Sequence, residues 1–368
     1  MWKTLVVPRS ELCLDTTLKC GQSFRWKKTA DNEWTTTLKG RIVSLRQNVD
    51  SIQYQSIFPK APVEDDTHII LHDYFQLKIK LRELYQYWST RDPNFQNKSL
   101  KFAGVRILRQ DCWENVVSFI CSSNNNIPRI SLMIDRLCSK YGTYLGTASD
   151  FQFYSFPDVS SLIGSSVENE LRTMGFGYRA KYISKTAQLI AQKPPGWLES
   201  LRHSDYKEAK ESLLELSGVG PKVADCVCLM SMDKPGSIPV DTHVWQIAQR
   251  DYQFRVKAKT MSAATYDAVG DFFRDLWGEY AGWAHSVLFT ADLKGFKERL
   301  IDIKTEKVKV IKMEDGDLSL TKDIMVNTTK QVLTDETKEI VNRSESPKKK
   351  RKQSEEHRAE KKQKINRT

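Results

Sequence analysis

A lysine after a glycine-containing turn and an aspartate shortly after it in sequence are the residues of this 368-residue chain best suited to covalent chemistry. Lys222 directly follows residues 218–221 (GVGP), and Asp241 lies nineteen positions further on, in residues 239–243 (PVDTH). An unprotonated amine is a nucleophile that forms Schiff bases, and a nearby carboxylate stabilises positive charge in a transition state. The pair therefore predicts a nucleophile with an electrostatic partner.

The glycines before Lys222 indicate a tight turn between two helices. We expect Gly218 and Gly220 to provide a turn that side chains would obstruct, and Pro221 suits the first position of the next helix. This is a helix-hairpin-helix signature, whose backbone N–H groups hold a DNA phosphate without reading sequence. Such hairpins also occur in non-catalytic DNA-binding proteins, where a lysine simply contacts phosphate. The companion Asp241 favours catalysis.

Net charge supports DNA binding by the folded region only weakly. The chain carries +11, but residues 347–368 contain ten Lys and Arg against three Glu, so +7 lies in this tail and +4 in the rest. The hairpin is the stronger evidence for DNA binding. No run of about 18 apolar residues and no signal-peptide core occurs, so we expect an intracellular protein that does not span a membrane.

The cysteines give no sign of a metal site or a disulfide framework. The seven cysteines are odd in number and contain no Cys-x-x-Cys pair, so we expect neither zinc nor disulfides. No cysteine follows Cys228, which excludes the four-cysteine iron–sulfur loop that some hairpin-containing repair enzymes carry after the catalytic region. We therefore expect no cofactor and no metal.

The pattern of apolar residues predicts an α+β protein with three regions. Residues 1–98 alternate short β-rich segments with turns, which predicts an N-terminal antiparallel β-sheet domain. Residues 99–300 have a helical period, and residues 301–368 lack aromatic residues and predict a mostly disordered basic tail. The β-rich segments include 5–7, 23–26, 34–38 and 41–45, and the helical segments include 113–120 and 130–137.

Five motifs, in order, resemble those of eukaryotic 8-oxoguanine DNA glycosylase/lyases of the helix-hairpin-helix superfamily. They are residues 20–26 (CGQSFRW), 119–127 (FICSSNNNI), 175–180 (GFGYRA), the hairpin with Lys222, and 283–289 (WAHSVLF). The resemblance spans about residues 5–293, and the size and divergent tail look fungal. It implies an enzyme that flips 8-oxoguanine and related oxidised purines out of duplex DNA. The DNA and lesion site would lie in the cleft between helical lobes.

The chemistry of base removal suits Lys222 and Asp241. Cleavage of the N-glycosidic bond has a transition state with cationic character at C1′, which a carboxylate stabilises while a nucleophile captures the sugar. Attack by Lys222 leads to a Schiff base, and β-elimination then nicks the strand, so the pair implies a bifunctional glycosylase/lyase. Asp241 also suits the N-cap of a helix over residues 242–248, and the two roles are compatible.

The resemblance assigns the other site residues to three groups. In the lesion-base pocket, the carbonyl of Gly21 would read the hydrogen on N7 of 8-oxoguanine, while Cys226 and Phe289 sandwich the base. A second group would select cytosine opposite the lesion, with Tyr178 as a wedge in the helix, and a third would contact DNA phosphates. The groups are Gly21, Cys226, His285, Phe289 and Asp292 for the pocket; Asn124, Arg129, Tyr178 and Arg179 for cytosine and wedge; and Gly218, Gly220 and His243 for phosphate.

One position departs from the family pattern. The family usually has Gln after Trp-Ala, where this chain has His285. Neutral histidine offers one donor and one acceptor, whereas imidazolium offers only donors. We therefore expect His285 to make lesion recognition depend on pH between about 5.5 and 7.5, around the ordinary pKa of histidine.

The tail and the partners complete the expectations. Residues 346–352 (SPKKKRK), with a second cluster at 361–364, predict a nuclear localisation signal, and a mitochondrial pool stays open. We expect a monomer whose partner is duplex DNA with 8-oxoguanine opposite cytosine.

Two alternative functions remain. An alkylpurine DNA glycosylase would not need Lys222 because water can be its nucleophile, and a non-catalytic helix-hairpin-helix protein would bind DNA without cleaving it.

Overall fold

A five-stranded antiparallel sheet forms the N-terminal part of the computed structural model, which describes residues 1–59, 64–255 and 260–296. The strands are β1 (Lys3–Leu5), β2 (Lys27–Ala30), β3 (Glu33–Leu38), β4 (Arg41–Gln47) and β5 (Ile52–Ile57). Their spatial order is β1-β5-β4-β3-β2, so β2 to β5 form a meander and β1 pairs with its last strand. The predicted N-terminal antiparallel sheet is confirmed.

The predicted strand 5–7 overlaps β1 only at Leu5, where β1 ends. Two further details of the strand prediction are wrong. Residues 23–26 are not a strand, because Phe24 packs into the helical core while Trp26 packs into the core of the sheet. The segment thus crosses between the two cores instead of pairing. The second error is a hairpin within the predicted helical region, formed by β6 (Tyr144–Ala148) and β7 (Phe151–Tyr154).

Helices make up most of the chain after the sheet, as predicted. The helices are α1 (Leu14–Thr17), α2 (Thr67–Tyr74), α3 (Leu81–Arg91), α4 (Pro93–Ser99), α5 (Cys112–Ile120), α6 (Ile127–Tyr141), α7 (Val167–Thr173), α8 (Arg179–Ala191), α9 (Trp197–Ser200), α10 (Tyr206–Leu214), α11 (Pro221–Ser231), α12 (Thr242–Tyr252), α13 (Ala263–Trp277) and α14 (Ala281–Asp292). The predicted helical segments 113–120 and 130–137 fall within α5 and α6.

The helices share one large apolar core, and the sheet has a second. Trp88, Trp277 and Trp283 are fully buried in the helical core, where Trp277 stacks on Phe273 with ring centroids 4.5 Å apart. Burial of such large apolar side chains is the main source of the stability of the helical part. Trp34 belongs to the separate cluster beneath the sheet.

Buried polar contacts join the loop after α1 to the helical part. Gln22 is 2% exposed, and its side-chain oxygen accepts a hydrogen bond from the backbone N–H of Leu108 at 2.9 Å. Three residues further on, Arg25 Nη1 donates to the Glu114 carboxylate at 2.7 Å. The two contacts hold the segment after Gly21 against the start of α5.

The parts of the chain that can be described contain no helix long and apolar enough to cross a membrane. In the same residues, no group of three or more His, Cys, Asp and Glu side chains is arranged to hold a metal ion. All seven cysteines are buried and unpaired. The predicted disordered tail and its nuclear localisation signal lie outside the described residues, and the domain boundaries at 98/99 and 300/301 stay predictions.

Replacing Arg25 by Met should lower the free energy of unfolding by about 3 kcal/mol, because it leaves the buried Glu114 carboxylate without its cation. The two side chains are only 10% and 17% exposed, and burial already raises the pKa of the Glu114 carboxyl. Urea denaturation followed by circular dichroism measures the effect. Lys28→Met is the matched control, because Lys28 pairs with a fully exposed Asp31 and such pairs contribute little. Equal losses in the two variants would contradict a structural role for the Arg25 pair.

Candidate active site

The hairpin between α10 and α11 depends on one of its two glycines for its shape. Gly218 has a φ of +80°, and a Cβ at this position would lie 2.7 Å from the side chain of Tyr182. Gly220 has an ordinary extended conformation with a φ of −96°, and a Cβ there would meet nothing within 4 Å. The expectation that a side chain at Gly220 would obstruct the turn is therefore wrong. Gly220 instead leaves open space in front of the N-terminus of α11.

Lys222 lies in the first turn of α11, after Pro221 at its first position as predicted. The half-buried side chain reaches toward α5, where Nζ lies 5.1 Å from the centre of the Phe119 ring and 3.4 Å from Ser122 Oγ. The Lys222 amine also lies within hydrogen-bonding reach of the Cys226 thiol, one turn further along α11. The amine is therefore held on a largely apolar surface with two weak polar partners.

Asp241 caps α12 and faces the same pocket as Lys222. Its Oδ1 accepts a hydrogen bond from the backbone N–H of Val244 at 3.0 Å, so the predicted N-cap is present. One carboxylate oxygen is thus engaged with the helix. The pocket between the two residues has a volume of about 50 Å³.

Six of the residues selected from the sequence line this pocket: Gly21, Lys222, Cys226, Asp241, His285 and Phe289. Seven further lining residues are Cys20, Gln22, Phe119, Met230, Pro239, Ser286 and Thr290. Sequence reasoning did not assign a role to Phe119 or to Ser122, although both lie in the 119–127 motif. The position of Phe119 on the apolar face of α5 indicates a core residue. The sequence around Phe119 and Ser122 does not show that Lys222, about a hundred residues further along the chain, approaches them.

Gly21 needs to be a glycine for two reasons. Its φ is +84°, in the left-handed region that side chains disfavour, and a Cβ would lie 2.9 Å from Cδ1 of Ile127. The following residue, Gln22, is anchored to Leu108, in the segment just before α5. Gly21 therefore brings backbone, with no side chain, to the lining of the pocket.

His285 is buried in the pocket without a hydrogen bond. It is 7% exposed, neither ring nitrogen has a partner among the described residues, and its ring stacks near Phe289 with centroids 6.1 Å apart. Burial lowers the pKa of His285 to about 4, against an opposing effect of the Asp241 carboxylate. The expectation that His285 titrates between pH 5.5 and 7.5 is therefore wrong. It is a neutral imidazole with one donor and one acceptor facing the pocket.

Among the selected residues outside the pocket lining, His243 and Asp292 lie on α12 and α14. His243 is exposed at the rim, with its ring centroid 6.4 Å from that of Phe289. Asp292, at the end of α14, pairs with Arg250 through an Oδ1 to Nη1 distance of 3.0 Å. Asp292 is thus already engaged by a cation, and a pocket role for it stays a prediction.

A second cluster joins the loop between α5 and α6 to the start of α8. Tyr178 is 47% exposed and donates a hydrogen bond from its hydroxyl to the carbonyl of Ser123 at 3.0 Å. Arg179 is 3% exposed, donates from Nη2 to the carbonyls of Ser123 and Asn124, and lies over the Tyr178 ring at 4.5 Å. Its Nε has no partner among the described residues. Arg129 is exposed in the first turn of α6, close in sequence to this loop.

The pocket combines a nucleophile, an anion and a neutral polar group in an apolar wall. Burial raises the pKa of the Cys226 thiol to about 11, so Cys226 contributes a neutral surface. Lys222 is the lysine and Asp241 is the acidic residue among the lining residues. Such a site can attack an electrophilic carbon and stabilise positive charge on it, with His285 available to hydrogen-bond a flat polar ligand.

Comparisons with known proteins identify the family that the chain resembles. Residues 4–116 match the family described as 8-oxoguanine DNA glycosylase, N-terminal domain, and residues 117–268 match the HhH-GPD superfamily base excision DNA repair proteins. The chain is 41% identical over 304 residues to the N-glycosylase/DNA lyase OGG1 of Arabidopsis thaliana, which covers 81% of this chain and 82% of the relative. It is 38% identical over 326 residues to the N-glycosylase/DNA lyase of Saccharomyces cerevisiae, covering 79% and 86%.

A solved structure is similar over most of its length. It is the Clostridium acetobutylicum 8-oxoguanine glycosylase/lyase in complex with double-stranded DNA containing cytosine opposite 8-oxoguanine. The TM-score is 0.66 at 28% sequence identity, and the match covers 76% of this chain and 91% of that chain.

Replacing His285 by Gln should make the protein less sensitive to acid. The pKa of His285 in the folded protein, about 4, lies below its value of about 6.5 in the unfolded chain. The contribution of the neutral ring to the free energy of unfolding is therefore fully present above pH 6.5 and is lost as the pH drops toward 4, by about 2 kcal/mol at pH 5. His285→Gln should remove that part of the fall in thermal midpoint between pH 7.5 and pH 5. The exposed His203→Gln serves as the control. A fall of the same size in wild type and His285→Gln would contradict a buried neutral imidazole.

Proposed function

This chain belongs to the 8-oxoguanine DNA glycosylase/lyase family of the helix-hairpin-helix superfamily, and on that premise we propose that Lys222 is its catalytic nucleophile. The chain is a bifunctional DNA N-glycosylase and lyase of base excision repair, with 8-oxoguanine as the lesion and DNA as its partner. The family, the fold class and the enzyme class predicted from the sequence are therefore confirmed. The observation that carries the proposed mechanism is the meeting of Lys222, Asp241 and the unpaired His285 ring in one pocket.

In the proposed reaction, the unprotonated Nζ of Lys222 forms a bond to C1′ of the flipped nucleotide while the bond from C1′ to the base breaks. The electron pair of that bond leaves with the base, which takes up a proton. Asp241 stabilises the positive charge that develops at C1′. Opening of the sugar gives a Schiff base on Lys222. Loss of a proton from C2′ then expels the 3′ phosphate, and the strand is nicked.

The lesion base would enter between Cys226 and Phe289. The pocket of about 50 Å³ has room for only one or two water molecules, so a purine enters when the lining side chains move apart. The carbonyl of Gly21 accepts from N7–H of 8-oxoguanine, a hydrogen that guanine lacks. His285 hydrogen-bonds the edge of the base as a neutral ring, in place of the usual Gln. Asp292, at the end of α14 and paired with Arg250 of α12, belongs to the same proposed pocket.

We also propose that the second cluster reads the orphaned base. Tyr178 is inserted as a wedge between the bases of the DNA duplex. Its half-exposed ring is supported on one face by the Arg179 guanidinium. Asn124, Arg129 and Arg179 provide amide and guanidinium groups that match the O2 and N3 acceptors of an unpaired cytosine. The unpartnered Nε of Arg179 supports this role, because a buried donor without a partner is costly in the free protein.

The hairpin would hold the backbone of the lesion strand. The open space at Gly220 and the N–H groups at the start of α11 suit a phosphate, with Gly218 shaping the turn and the exposed His243 at the pocket rim as a further contact. The same proposal includes three further points. The enzyme acts as a monomer, its preferred substrate is a duplex with cytosine opposite the lesion, and residues 346–352 direct it to the nucleus.

Lys222→Gln should abolish both nicking and covalent trapping by borohydride on a duplex with 8-oxoguanine opposite cytosine, because an amide cannot form the Schiff base. Binding to the duplex should survive, since phosphate contacts are spread over the hairpin. The control is Lys207→Gln, an exposed lysine on α10, which should trap like wild type. Trapping by Lys222→Gln would exclude Lys222 as nucleophile. If the wild type excised an alkylpurine without being trapped, a glycosylase that uses water as its nucleophile would be favoured. If the wild type bound duplex DNA without excising a base, a non-catalytic role would be favoured.

Arg129→His should narrow the preference of the enzyme for cytosine over adenine opposite the lesion. Loss of a bidentate base contact removes about 1–3 kcal/mol of discrimination. Arg129 is exposed on α6, so the substitution should leave the fold intact. Single-turnover rate constants on the two duplexes measure the ratio, with Arg136→His, further along α6, as the control for losing a positive charge on that helix. An unchanged ratio in Arg129→His would refute the assignment.

A further inference from the structure

A fully buried carboxylate lies on α11 beside the catalytic turn. Asp225 is 0% exposed and follows Lys222 by three residues. Four side chains donate hydrogen bonds to it: Tyr206 at 2.5 Å, Lys210 at 2.9 Å, Ser237 at 2.9 Å, and Tyr266. A buried carboxylate is tolerated only when it is well satisfied, so this set of donors fixes α11 against its neighbours.

Tyr266 differs from the other donors because its second partner is a backbone amide next to Asp241, whereas the hydroxyl of Tyr206 accepts its second bond from Lys210. The Tyr266 hydroxyl accepts a hydrogen bond from the backbone N–H of Val240 at 3.3 Å, and Val240 immediately precedes Asp241. Ser237 also joins Asp225 to this segment, but four residues before Asp241. The Tyr266 hydroxyl is thus the link that reaches from the Lys222 helix to the residue next to Asp241.

The chemistry of the hydroxyl suits a fixed bridge. Burial, followed by the charge of Asp225, raises the pKa of Tyr266, so the hydroxyl keeps its proton at all ordinary pH values. The hydroxyl donates its proton to Asp225, with the Ile238 carbonyl as a more distant acceptor at 3.5 Å, and accepts a hydrogen bond from the Val240 N–H. Tyr266 is 7% exposed on α13, so water does not compete for either bond.

We propose that Tyr266 is a positioning residue that sets the distance between Lys222 and Asp241, by bridging Asp225 on α11 to the Val240 amide in front of α12. The inference rests on the proposed roles of Lys222 as nucleophile and Asp241 as its electrostatic partner. Attack at C1′ requires the Lys222 amine and the Asp241 carboxylate to be positioned correctly relative to that one carbon atom. A small displacement of one relative to the other therefore slows the chemical step without affecting how the hairpin holds DNA.

A pair of matched substitutions tests the bridge. Tyr266→Phe and Tyr206→Phe each remove one phenol that donates to Asp225, but Tyr206 makes no contact with Val240 in the hydrogen bonds of the described residues. Single-turnover excision of 8-oxoguanine opposite cytosine, with enzyme in excess, gives a rate constant that is independent of the active fraction. Affinity for undamaged duplex and the thermal midpoint are measured alongside.

Tyr266→Phe should lower the excision rate constant by about tenfold or more, while Tyr206→Phe stays close to wild type and both variants bind duplex normally. Equal rate constants in the two variants would overturn the inference. A Tyr266→Phe protein that loses only amplitude or thermal midpoint, with its rate constant unchanged, would show a merely structural residue and overturn it as well. Absence of borohydride trapping in wild type would instead contradict the proposed function, on which the inference depends.

Discussion

The burial of α11 is the constraint on which the site depends. Residues 223–231 of this helix are all buried, whereas Pro221 is exposed and Lys222 is half-buried. A helix that is packed on every side can offer reactive groups to a substrate only at its accessible terminus, which in α11 is the N-terminus. The unpaired backbone N–H groups, the open approach at Gly220 and the Lys222 amine are therefore concentrated in one turn. The interactions of Asp225 deeper in the same helix hold that turn in place.

Burial also determines which pocket groups are charged. The same desolvation that raises the pKa of Cys226 lowers that of His285, so both are neutral near pH 7. The amine and carboxylate face each other across groups that offer shape and hydrogen bonds rather than charge. In the mechanism proposed above, Asp241 is the group that stabilises the cationic transition state at C1′, in surroundings of low polarity where such an interaction is strong.

The N-terminal sheet contributes to the site through a loop rather than through its strands. Gly21 reaches the pocket because Gln22 and Arg25 tie the following segment to the start of α5. The other end of α5 leads to Ser122, which contacts Lys222, and to the Asn124 loop that Tyr178 and Arg179 hold. One helix thus links the Gly21 loop, the Lys222 amine and the cluster of Tyr178 and Arg179.

The sequence by itself determined the features that depend on neighbouring residues. The turn at Gly218, Pro221 at the start of α11, the Asp241 cap and the antiparallel sheet follow from local backbone preferences, and five motifs identified the family. The environment of His285 was not predictable, because its low pKa comes from desolvation by distant segments. The Tyr266 bridge and the contact of Lys222 with Ser122 join residues 41 and 100 positions apart. Such contacts exist only once the helices pack, since no local pattern encodes which buried groups meet.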